Sequence, residues 1–194
     1  MTWLADLGLS DAQVRKSVVG FPTLFTCSLE NTLRPKEQWL LDLGLEKSQV
    51  AKTIAGCPRI CSLSIEDNLK PLVQWLLDLG LEKSQVAKAI ARFPPICGLS
   101  LEANLKPLVQ WLLDLGLGKS QVANVIARFP QICSLSLEAN LKPKVWLLGR
   151  RGISQTDIAR ILVTCPPILG YSLERITSLI GVLEAAGLLT DASF

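Results

Sequence analysis

Proline stands at 22, 58, 94, 130 and 166, every interval being 36 residues. Glu30, Glu66, Glu102, Glu138 and Glu174 keep the same spacing, as do Gly8, Gly44, Gly80, Gly116 and Gly152. A chain that repeats at this interval folds as a stack of like units, each burying its apolar face against its neighbours, and not as one irregular globule. Tryptophan follows the period at 3, 39, 75 and 111, but Trp146 arrives one residue early. The simplest reading is one residue lost before it and one gained after it, because the glycine column recovers its phase. The predicted architecture is therefore all-α: a single α-solenoid superhelix of about five units over residues 1–194, the first truncated at its N-terminus and the last ending in a capping helix near 172–186.

Each unit reads as two helices. In residues 100–132, Ser100 caps a short turn, Pro107 sits where a longer helix starts, and Leu108, Val109, Trp111, Leu112, Leu113 and Leu115 follow. Apolar residues on nearly every side predict a buried helix, here helix A, closed by Gly116. Helix B begins about two residues later. Its start carries a capping pattern in the first and last units, Ser10-x-x-Gln13 and Ser154-x-x-Asp157. Val86, Ala87, Ile90 and Ala91 form one inward stripe, and Pro94 ends the helix. The connector that follows places Phe25, Cys61, Cys97, Cys133 and Leu169 in one column, where exchange of Cys with Phe and Leu marks a core position.

Composition narrows the chemistry. The chain is 49% hydrophobic and has no histidine, which removes the commonest general base and the commonest neutral metal ligand together. No apolar run approaches the roughly 20 residues of a membrane-spanning helix. The six cysteines recur with the repeat instead of in Cys-x-x-Cys pairs, so they are expected to be reduced, buried and small, in a reducing compartment. With no phosphate-cradling glycine loop and no carboxylate pair outside the repeated columns, the expectation is a protein without catalytic residues, metal, cofactor, small-molecule substrate or membrane partner. The N-terminal edge, with Trp3, Leu4 and Leu7, is expected to lie open and to be covered by further residues or by self-association.

Charge supplies the positive clue. Lys plus Arg number 20 against 17 Asp plus Glu. The excess is C-terminal and densest from Lys142 to Arg160, where Lys142, Lys144, Arg150, Arg151 and Arg160 face only Asp157. On helix B, Gln85, Lys88 and Arg92 share one side, and the matching sets are Gln13 with Lys16, Gln49 with Lys52, Gln121 with Asn124 and Arg128, and Asp157 with Arg160. A second basic column, Arg34, Lys70, Lys106 and Lys142, precedes the helix A prolines. Acids occupy other columns. Helix termini account for those at Glu30 and Glu46, but no such argument covers Asp42, Asp78 and Asp114.

The unit Leu-Leu-Asp-Leu-Gly-Leu, then Val-Ala-x-x-Ile-Ala, then the proline and Ser-Leu-Glu-x-Asn-Leu-Lys-Pro, resembles the mTERF repeat of mitochondrial transcription termination factors and their plastid relatives. The resemblance spans essentially the whole chain. It implies units of two antiparallel helices and a short 3₁₀ helix, stacked into a curved superhelix with a basic groove. It further implies binding of double-stranded DNA or structured RNA in a mitochondrion or chloroplast, in transcription termination, transcript processing or ribosome assembly, in several members alongside a protein partner. The candidate phosphate contacts are Lys16, Lys52, Lys88, Arg92, Arg128, Lys142, Lys144, Arg150, Arg151 and Arg160. Gln49, Gln85, Gln121 and Asn124, with Gln13, are candidate base contacts. The tryptophans read as core, which disfavours a stacking platform for single strands. The alternative function is a protein-interaction scaffold, for which a near-neutral N-terminal part is equally suited.

Overall fold

The computed structural model describes residues 2–22 and 27–185, and all regular structure among them is helical. The chain divides into two compact units, 1–101 and 102–194. The first holds α1 (Thr2–Asp6), α2 (Asp11–Gly20), α3 (Arg34–Leu43), α4 (Lys47–Gly56), α5 (Lys70–Leu79) and α6 (Lys83–Arg92). Here α2 packs on α4 and α4 on α6, while α3 and α5 lie against α6. The core is a file of fully buried side chains at repeat intervals, among them Leu40 and Leu76, Ile54 and Ile90, Ile60 and Ile96. The second unit holds α7 (Lys106–Asp114), α8 (Lys119–Arg128), α9 (Lys142–Arg150), α10 (Gln155–Thr164) and α11 (Leu173–Ala185). Leu112, Ile126, Ile132 and Leu141 fill its core in the same columns, and α10 packs on both α8 and α9.

Local chemistry explains each boundary. Before α5, Ser64 Oγ accepts from the Asp67 N–H, and the Lys70 N–H reaches back five residues to the Ile65 carbonyl, making a π-turn that runs directly into the helix. Pro71 has no N–H to give and its ring crowds the carbonyl four residues back; the wider turn relieves both defects. Helix A thus begins one turn before the longer helix expected from sequence. It ends at a glycine in the left-handed region, φ +108° at Gly44 and at Gly80, where the following N–H of Leu45 bonds the Leu40 carbonyl. Helix B ends at the residue before proline, and the 3₁₀ turns Pro58–Ser62, Pro94–Gly98, Pro130–Ser134 and Pro166–Gly170 follow.

Three expectations are corrected. Trp3, Leu4 and Leu7 are 9%, 4% and 3% exposed, because α1 tucks against its own unit and the Trp3 indole N–H donates to Glu37 Oε2 at 2.7 Å. That edge is not open. The cysteines are not uniformly buried: Cys61, Cys97 and Cys133 are, but Cys27 and Cys57 are half-buried and Cys165 is exposed, since these last occupy connector positions outside the core column. Phe25 and residues 186–194 lie outside the described residues, as does the side chain of Glu184. Finally, Trp146 involves no lost and regained residue. α9 starts at Lys142 as α7 starts at Lys106, so the phase never breaks, and Trp146 stands in the exposed column of Gln38, Gln74 and Gln110.

Candidate nucleic-acid interface

Helix B presents its exposed face at Lys16 on α2, Lys52 on α4 and Lys88 on α6. None of the three ammonium groups has an ion-pair or hydrogen-bond partner among the described residues. Because α2, α4 and α6 pack consecutively, these lysines make a row within the first unit, with an interval set by the axial separation of packed helices, about 8–10 Å. Lys47 and Lys83, missed in the sequence reading, add to it. Each is the first residue of its helix, where the macrodipole disfavours a cation, so helix stability does not explain the choice. A cleft of about 350 Å³ between the start of α2 and α4 takes its polar lining from Asp6, Gln13, Lys47, Ser48 and Lys52.

The C-terminal candidates are differently placed. Lys144 is 3% exposed; its ammonium donates to the Leu169 carbonyl and to Asn140 Oδ1, both at 2.5 Å, and burial lowers its pKa. It is a packing residue and leaves the set of phosphate contacts. Arg128 spends its guanidinium on the Val163 and Thr164 carbonyls, at 2.9 and 3.1 Å, capping the end of α10. Arg160 pairs with Asp157 at 3.2 Å and Lys142 with Glu138, while Arg150 lies over the Trp146 ring. Arg92 and Arg151 are also engaged within the chain. The basic cluster from Lys142 to Arg160 is therefore largely consumed internally, whereas Lys16, Lys52 and Lys88 of the near-neutral first unit, and Lys119 at the start of α8, stay exposed without a partner among the described residues.

The other columns resolve similarly. Arg34, Lys70, Lys106 and Lys142 each pair with the glutamate four residues earlier, Glu30, Glu66, Glu102 and Glu138. The aspartates that lacked an explanation accept hydrogen bonds from the glutamines a turn before them, Gln38 to Asp42, Gln74 to Asp78 and Gln110 to Asp114, each at 2.8 Å. The candidate base contacts Gln49, Gln85 and Gln121 turn their Oε1 atoms to the backbone N–H groups of Glu46, Glu82 and Gly118, as Gln13 does to Ser10. Bidentate recognition of adenine would use the same oxygen, which in the first four units caps the start of helix B; in the fifth, Asp157 takes the glutamine's place. Asn124 stays exposed in the column of Lys88.

These observations define an all-α helical-repeat protein that shows a row of unpaired lysines on successive B helices. The mTERF family model matches residues 1–193, nearly the whole chain, and the protein belongs to the mTERF family. Among curated proteins none matches it.

Proposed function

We propose that this protein binds nucleic acid, double-stranded DNA or structured RNA, without catalysing a reaction on it. Its role on this reading is regulation or termination of transcription, or RNA processing, in a mitochondrion or chloroplast, as family membership suggests. The observation that carries the proposal is the row Lys16, Lys52 and Lys88: exposed, repeated, unpaired, and flanked by Lys47 and Lys83 at helix starts that do not favour them. Such a row neutralises phosphates and gives affinity without sequence readout. With the glutamines held as caps, discrimination between sequences falls to Asn124 and to the shape of the nucleic acid.

The test is binding of the whole chain to a labelled duplex and to a structured RNA across a salt series. Each phosphate contact on duplex DNA adds about 0.9 to the log–log slope, so three to five lysines give a slope of about 3 to 5. Replacing Lys52 and Lys88 by Glu should reduce the slope by about 2. No binding at low salt would sink the proposal and return the lysine row to an acidic protein partner.

A further inference from the structure

On helix A, residues four apart form an exposed ridge, and in the three preceding units that ridge satisfies itself. Glu66, Lys70, Gln74 and Asp78 pair in sequence, as do Glu102, Lys106, Gln110 and Asp114. On α9 the same ridge reads Glu138, Lys142, Trp146 and Arg150. Glutamine has become tryptophan, aspartate has become arginine, and Gly149 stands where Leu41, Leu77 and Leu113 stand elsewhere. These three departures fall at i, i+3 and i+4, hence on one patch.

The result is a ridge with its sign reversed and an indole that is 65% exposed. The Arg150 guanidinium carbon sits 5.3 Å from the ring centroid. A Cβ built on Gly149 would meet nothing within 4 Å, so α9 has open space at the position one turn after Trp146. On α9 itself, Lys142, Pro143, Gly149 and Arg150 stand one turn from Trp146, Lys142 being paired with Glu138 and Arg150 lying over the ring. A flat π-face beside cations is what an unpaired base and its phosphate require.

We infer that Trp146 receives an unpaired nucleobase by stacking, with Arg150 beside it for the attached phosphate. The inference rests on the reading that this protein binds nucleic acid, and it starts from the one tryptophan whose exposure departs from the expectation that all of them are core. It concerns helix A of the second unit, whereas the lysine row stands on the B helices of the first.

The test compares three probes on the whole chain: a fully paired duplex, the same duplex with one bulged nucleotide, and the single strand. The wild type should favour the two probes with unpaired bases. Trp146→Ala should weaken those two by roughly 5- to 100-fold and leave the paired duplex unchanged, while Trp146→Phe keeps most of the preference. Lys52→Glu with Lys88→Glu should weaken all three probes together. If Trp146→Ala affects no probe, or all alike, the base platform is wrong although nucleic-acid binding stands. If no probe binds the wild type, both readings fall.

Discussion

Lys144 and Lys36 share a buried column with Leu72 and Leu108, so the repeat itself supplies the control for what a lysine does there. Burial lowers the pKa of both amines, meaning that the charged form is disfavoured inside the fold. Lys144→Leu restores the residue of the middle repeats and should hold or raise the melting temperature; a loss above about 1 kcal/mol would show that the ammonium's two hydrogen bonds outweigh its desolvation. The buried thiols make the opposite prediction in pH. Burial pushes Cys61, Cys97 and Cys133 up to about 12 from an ordinary 9.0, so the folded state keeps protons that the unfolded state gives up. Their contribution is complete below pH 9.0 and is lost between there and about 12, at about 1.4 kcal/mol per pH unit for each thiol. Alkaline unfolding curves should therefore flatten on Cys97→Ala, and a thiol reagent at neutral pH should label Cys165 well before these three.

At the scale of the helix, the ends decide more than the middles. Gly80 holds φ +108° with open space where a Cβ would project, so Gly80→Ala tests backbone strain without a clash and should lower stability by about 1–2 kcal/mol in chemical denaturation. No measurable loss would mean that α5 unwinds locally at little expense. The caps also show why motif reading stopped short. Ser10 and Ser154 were legible as caps because a serine precedes the helix, but Glu46 and Glu82 are not preferred capping residues and Gly118 has no side chain to cap with, which concealed the role of Gln49, Gln85 and Gln121. The signal was available in the repeated glutamine at the third helical position, a register in which it can reach the cap N–H.

For the whole molecule, counting charges was a poor guide to which cations stand without a partner. Counting placed the excess between Lys142 and Arg160, yet those side chains are buried, stacked, paired or otherwise engaged, whereas Lys16, Lys52 and Lys88 of the near-neutral first unit face solvent unpaired. The proposed function accordingly predicts that Lys52→Glu with Lys88→Glu lowers affinity at 0.15 M salt by at least tenfold, while Lys142→Glu has a much smaller effect, measured by anisotropy on the same duplex. Equal effects from the two would move the binding surface towards the second unit.

The period of 36 residues, the order of helix A, helix B and connector, and the buried columns were all determined by the sequence alone, because a repeat writes each constraint several times over. The family followed from the same redundancy. What the tertiary structure decided was the fate of individual polar groups. Whether Lys144 meets water or the Leu169 carbonyl, whether Arg128 meets a phosphate or the end of α10, and whether Trp146 turns inward or out depend on partners 25 to 36 residues away or on a single position of helical phase. Spacing fixes the face a residue occupies; only the packed neighbour fixes whether its hydrogen bonds and charge are already spent.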